Sequence, residues 1–158
     1  MKNHKALAMA VGLALAATVL SVSALGSEWD HRTKMVFSGP VEVPGAVLPA
    51  GSYWFVVSDL ISDRSIVQIF SPDWSKIYAT VYTVPAYRME ATRPTEIQFA
   101  ERPHKGDEAL LRWYFPGRMT GREFVYPEDV EKKLARDPIQ VVLATPASRS
   151  PRVGTSTP

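Results

Sequence analysis

Apolar and polar residues alternate along most of this chain with a period of two, the pattern of half-buried strands. The densest stretch is 41–57, VEVPGAVLPAGSYWFVV. Val41 and Val43 flank Glu42, which predicts a strand with one buried face. Pro44-Gly45 suits the central positions of a type II turn: Pro fixes φ at the first, and Gly supplies positive φ at the second. Pro49-Ala50-Gly51 bends the chain again. Residues 53–57 then place five β-favouring residues in a row, as in a strand covered on both faces. The rest of the chain is expected to supply strands for this pair to pack against.

Further strands are predicted at 33–37, 65–70, 76–84, 95–100, 109–115, 124–126 and 139–144. In 65–70, Val67 and Ile69 share one face; Ile66, Gln68 and Phe70 share the other. In 76–84, Ile77, Ala79, Val81 and Thr83 oppose Tyr78, Thr80, Tyr82 and Val84. Ile97 and Phe99 point in, with Glu96 and Gln98 out. Leu111, Trp113 and Phe115 share a side. Breaks fall at Ser38-Gly39-Pro40, Ser71-Pro72-Asp73 and Pro116-Gly117, and loops at 58–64, 85–94 and 102–107. A single helix is predicted at 127–136. Pro127 suits its first turn, Glu128 and Asp129 its positive end, and Val130 and Leu134 lie one turn apart. Such a short helix must dock or fray. Seven or eight short strands, turn signals about every ten residues and no βα alternation predict an all-β fold. It is an antiparallel β-sandwich or barrel with one short helix near the C-terminus.

The two ends depart from this pattern. Lys2 and Lys5 precede an uncharged apolar run, ALAMAVGLALAATVL. Small residues follow at Val22-Ser23-Ala24 and Ala24-Leu25-Gly26. The combination predicts a secretory signal peptide over 1–26, cut after Ala24 or Gly26. From Thr145 the chain turns to Pro, Ser, Thr, Arg and Gly, a composition that buries too little apolar surface to order itself. A disordered tail over 145–158 is expected, leaving 27–144 as the β-sandwich domain.

Charge and cysteine usage narrow the partners. The full chain carries 18 Lys and Arg against 16 Asp and Glu. Losing Lys2 and Lys5 brings the mature chain near neutrality, with no clustered basic face, so no nucleic-acid partner is expected. Cysteine is absent. That excludes a disulfide framework, a thiolate nucleophile, Cys-ligated metal and a lipid attached through an N-terminal cysteine. The mature protein is expected free in the periplasm or outside the cell, with no stable membrane anchor after cleavage.

Recognised catalytic patterns are missing. There is no HExxH, no GxSxG and no Gly-rich phosphate loop. His31 and His104 lie in polar segments and read as surface residues. Asp59, Asp63 and Asp73 lack calcium-loop spacing and read as turn formers. Neither a catalytic residue nor a cofactor or metal site is assigned. Glu101, Asp107, Glu108 and Glu123 are the carboxylates that would serve an acid–base pair. Aromatics are the informative surplus: Trp54, Trp74, Trp113, Tyr53, Tyr78, Tyr82, Tyr87, Tyr114 and Tyr126. Some must fill the core, where a Tyr or Trp needs a partner for its polar atom. Arg112 and Tyr114 share one face of their strand. With Arg118, Arg122 and Tyr126 nearby in sequence, they are the candidate ligand-binding residues. The plainer alternative is a solvated sheet face whose Arg stems cover Tyr rings.

The phrases LPAGSYWF (48–55), SIVQIF (65–70), FAERP (99–103), LLRWYFPG (110–117) and GREFVYP (121–127) resemble a family of small exported bacterial all-β proteins. The likeness covers residues 34–128. That family brings no assigned activity, so the resemblance implies export and an all-β core and no catalytic residue. Three functions are therefore expected in turn. The first is an exported, non-catalytic β-sandwich that binds or scaffolds an envelope protein or polysaccharide. The second is a carbohydrate- or polymer-binding module using exposed aromatics. The third is a small carboxylate-dependent hydrolase. Several Trp or Tyr aligned on one solvent face would distinguish the second from the first.

Overall fold

The computed structural model describes residues 22–27, 32–58, 66–102 and 107–146. Alternation of the kind seen at Thr33–Met35–Phe37 and Tyr53–Phe55–Val57 recurs along most of the chain, and it builds an all-β architecture. The strands are β1 (Val22–Ser27), β2 (Arg32–Phe37), β3 (Val41–Val43), β4 (Ala46–Leu48), β5 (Gly51–Val57) and β6 (Ile66–Phe70). They continue as β7 (Ile77–Tyr87), β8 (Glu96–Ala100), β9 (Glu108–Tyr114), β10 (Thr120–Phe124), β11 (Ile139–Leu143) and β12 (Thr145–Pro146). Helix α1 (Glu128–Leu134) precedes β11. No helix among the described residues is long and apolar enough to cross a membrane.

The strands join in one bent sheet of order β11-β8-β9-β10-β7-β6-β5-β2-β1-β12, with the β3–β4 hairpin attached to β9. Pairing is antiparallel except for β1–β12 and β3–β9. The long strand β7 is the joint: Ile77–Tyr82 pair with β6, and Thr83–Tyr87 pair with β10. The two halves fold face to face. Phe37 and Phe55 from one half meet Phe99, Trp113 and Phe124 from the other, with ring centroids 6.1 to 6.4 Å apart and steep edge-to-face angles. This layering, with open ends, makes the fold a sandwich.

Several expectations are refined. Strands number twelve among the described residues, beyond the seven or eight expected, because short pieces read as connections also pair. The partner of β3 is β4, closed by Pro44-Gly45 with Gly45 at φ 81° as a type II turn requires. The strand expected at 124–126 lies earlier, as β10, because β9 and β10 form a hairpin. Gly121 faces Tyr114 there, and a Cβ would sit 2.4 Å from the Trp113 carbonyl oxygen. Tyr78 does not share the face of Tyr82. The register skips between Ile69↔Ala79 and Phe70↔Ile77, so Tyr78 is an extra residue of β7, packed on the core with its ring 5.0 Å from that of Tyr53. A second bulge, opposite Gln98–Phe99, does the same to Leu111.

The predicted helix is present, shortened to seven residues, and docks through buried Leu134 and half-buried Val130. At the ends, β1 crosses both expected cleavage points, and Thr145–Pro146 pair with Ser23–Ala24. Residues 1–21 and 147–158 lie outside the described residues, as do His31, His104, Asp59 and Asp63.

Candidate binding site

The sheet face made by β2, β5, β6 and β7 carries Lys34, Trp54, Phe70 and Ile77 along one row and Ile66 with Tyr82 along another. These are the residues that alternation turns away from the core. Over the first row sits Trp74, from the turn joining β6 to β7. Its ring stacks on Trp54 at 5.3 Å and 22°, and lies 5.2 Å from Phe70. Lys34 Nζ stands 6.0 Å from the Trp54 ring centroid. Trp74 stays 45% exposed, Ile77 50% and Tyr82 70%, so the face is a wide apolar shelf open to solvent.

The turn is built to hold Trp74 outward. Its backbone has φ 63°, the left-handed region, and it is the one non-glycine residue among those described to do so. For a bulky residue this is strain. The surrounding network offsets it. Ser71 Oγ–H donates to Asp73 Oδ1 at 2.6 Å, and Ser75 donates to the same oxygen from Oγ at 2.9 Å and from its backbone N–H at 3.2 Å. Lys76 N–H donates to Ser71 Oγ at 3.0 Å, and the Trp74 and Ser71 amides bond to Ser71 and Lys76 carbonyls. The Ser71 and Ser75 bonds hold the Asp73 carboxyl well below its usual range, at about 2. Asp73 is thus a turn former, as its place after Ser71-Pro72 indicates.

The five residues singled out from sequence do not share one surface. Arg112 lies on the outer face of the other half-sheet, half-buried, its guanidinium donating to Glu123 at 2.9 and 3.3 Å and to Gln98 at 3.2 Å. The Glu123 bonds push the Arg112 pKa up. Tyr114 shares that face but is 3% exposed, its hydroxyl donating to the Tyr87 carbonyl at 3.3 Å. Burial pushes its pKa up. An arginine covers its ring, 5.2 Å away, but that arginine is Arg88. Arg122 pairs with Trp113 across the hairpin, so it points to the opposite face, where it is buried. Arg118 sits in the turn between β9 and β10 and offers its carbonyl to Arg88. Tyr126 is buried, its hydroxyl shared between the carbonyls of Leu110 at 2.9 Å and Glu42 at 3.0 Å, and burial pushes its pKa up strongly.

Arg88 ties this region together. It donates to the carbonyls of Phe115 and Arg118, to Thr92, and to Glu96 Oε2 at 2.8 Å. That pairing explains why Glu96, expected outward in solvent, is buried. Among the other carboxylates, Glu42 is held by Arg102 at 2.6 Å. Burial, then the neighbouring Glu101, pushes the Glu108 pKa up. A cavity of about 260 Å³ lies beside α1, between Leu111, Arg112, Glu123 and Ile139. No group of three acidic or histidine side chains among the described residues is arranged to hold a metal.

The fold and the shelf define an all-β sandwich with an exposed aromatic face. No family model, curated protein or solved structure matches the chain. Sequence reasoning named Trp54, Trp74 and Tyr82 among the aromatic surplus without placing them together. The available signal was a tryptophan inside a Ser-Pro-Asp-Trp-Ser turn between two strands, a position that leaves a large ring outside the sheet.

Proposed function

We propose that this protein is an exported, non-catalytic β-sandwich that binds a polysaccharide of the cell envelope through the Trp54–Phe70–Trp74 shelf. The observation that carries the reading is Trp74, a large ring kept in solvent on a strained backbone by a dedicated hydrogen-bond network. A fold gains nothing from such strain unless the ring has a use. Flat aromatic rings bury the C–H faces of sugar rings, while Lys34 and Gln68, on the same sheet face, supply donors to hydroxyls. Tyr82 lies four strand residues along from the Phe70 row, about 13 Å. A polymer could therefore touch the shelf at two places. The leader-like start of the chain supports export to the periplasm or beyond. Of the four carboxylates read as acid–base candidates, Glu123 serves Arg112 in the fold.

The test is titration of tryptophan fluorescence with soluble peptidoglycan fragments and with neutral glucans, for wild type, Trp74→Gly and Tyr87→Ala. Glycine accepts the left-handed backbone, so Trp74→Gly removes the ring without adding strain. Saturable binding by wild type and Tyr87→Ala, weakened at least about tenfold in Trp74→Gly, is the expected result. Equal affinity of Trp74→Gly and wild type, or no binding by wild type to either probe, would overturn the assignment.

A further inference from the structure

The aromatic shelf also has a sign. Strands β2, β5, β6 and β7, which make its face, contain Arg32 and Lys34 and not one Asp or Glu. Strand β1, beside β2, is uncharged. Across the sandwich the balance reverses: β8, β9 and β10 hold Glu96, Glu108 and Glu123 against Arg112 and Arg122. Lys34 stands directly opposite Trp54 in the ladder, so the two side chains leave the same face as neighbours. Lys34 is half-buried, its Nζ lies 6.0 Å from the Trp54 ring centroid, and it forms no ion pair among the described residues. Arg32 leaves the same face two residues along the strand, about 7 Å away. Asp73, the acid in the turn under Trp74, has its Oδ1 taken by three donors from Ser71 and Ser75, so its charge is met inside the turn.

We infer that the shelf takes a polysaccharide bearing a repeated anionic group, a carboxylate or a phosphate, with Lys34 pairing to the charge while a sugar ring lies on the indoles. The inference rests on the polysaccharide reading above and adds the charge to it. An exposed ammonium is held only weakly by a ring face, whereas a carboxylate or phosphate within hydrogen-bond reach makes a charge-assisted bond. Both cations stand on β2, and the rings stand on β5, β6 and the turn. The anionic groups of the bound chain therefore lie on the β2 side of the stacked ring. An anionic membrane surface fits less well. Such surfaces are held by clusters of about four to eight cations, and this face has two. The indoles also stack at 22°, which makes a flat platform with no wedge to insert.

Fluorescence titration of the full chain with three β-glucan oligomers of one backbone tests the inference. One is neutral, one is oxidised to the carboxylate at C6, and one is phosphorylated at C6, each at about 20 mM and about 200 mM salt. Wild type is expected to bind at least one charged form at least about tenfold more tightly than the neutral form at the lower salt, and to lose most of that preference at the higher. The tighter of the two charged forms identifies the source of the anion. Lys34→Gln keeps a donor without the charge and should bring the ratio of charged to neutral affinity down towards one. Lys34→Glu should bring it below one. Equal affinity of wild type for all three forms, or a preference that survives both Lys34 changes, would overturn the inference and leave the polysaccharide reading standing. No binding of any form would overturn both together. Wild type that binds anionic phosphatidylglycerol vesicles and none of the oligomers would make the shelf a membrane contact instead.

Discussion

At the scale of single residues, the structure turns on side chains whose roles depend on their neighbours. Asp73 is an ordinary turn residue by position, yet three donors converge on its Oδ1 and fix the backbone under Trp74. Its folded pKa is depressed to about 2, so the stabilisation of the turn is complete above the unfolded value near 4 and is lost as pH falls through the folded one. Near-UV circular dichroism from the Trp54–Trp74 stack should be constant from neutrality down to roughly pH 4 and fade between roughly pH 4 and 2. Asp73→Asn should show the faded signal already at pH 7, with the core still folded. A stack signal indifferent to both changes would mean that ring contacts alone hold Trp74. Trp54 teaches the same lesson: the run 53–57 reads as covered on both faces, yet Trp54 lies on the outer face, where the turn brings a second indole onto it.

At the scale of elements, two bulges and one buried ion pair account for most departures from simple alternation. A bulge adds one residue to one strand and inverts the phase beyond it. Tyr78 thereby joins the core, and Leu111 turns to the cavity beside α1. Arg88 follows the last residue of β7 and crosses to the turn between β9 and β10, while its partner Glu96 opens β8. The side chains of the pair are 8% and 11% exposed, deep enough that the loss of one charge leaves the other poorly solvated. Glu96→Gln should cost about 3 kcal/mol in denaturant unfolding, with the unfolding slope unchanged. A loss under about 1 kcal/mol would show that the carbonyls around Arg88 satisfy it without the carboxylate.

At the scale of the whole molecule, the question is which chain the cell folds. The start of the sequence reads as a leader, yet β1 occupies the outer edge of β2 and partners β12. Cutting after Gly26 would remove all of β1 except Ser27; cutting after Ala24 would leave Leu25, Gly26 and Ser27. The cut after Gly26 opens β2 along nearly all of its length and the cut after Ala24 along its second half, Met35 to Phe37, without touching the face-to-face packing of Phe37, Phe55, Phe99 and Trp113. Intact mass of protein recovered from the periplasm or medium is expected to show a first residue of Leu25 or Ser27. A product that begins at Met1 would mean that β1 stays in place and that export does not process the chain.

The fold class was legible because alternation is a local property: a strand with one buried face must repeat every two residues wherever it lies. The type II turn at Pro44-Gly45, the short helix and the strand read at 53–57, which the fold extends back to Gly51, follow from local backbone preferences in the same way. What depends on register between distant strands was not legible. The two bulges, the pairing of Arg88 with Glu96 and the burial of Tyr114, Arg122 and Tyr126 are set by partners well separated in sequence. The candidate surface read from Arg112, Tyr114, Arg118, Arg122 and Tyr126 rested on nearness in sequence, which a hairpin splits between opposite faces. The aromatic shelf was decided by tertiary structure alone, because stacking Trp74 on Trp54 requires β5, β6 and the following turn to meet in space. The sequence by itself determined that strands would form and which way most side chains would face; only the folded sheet decided which of them meet.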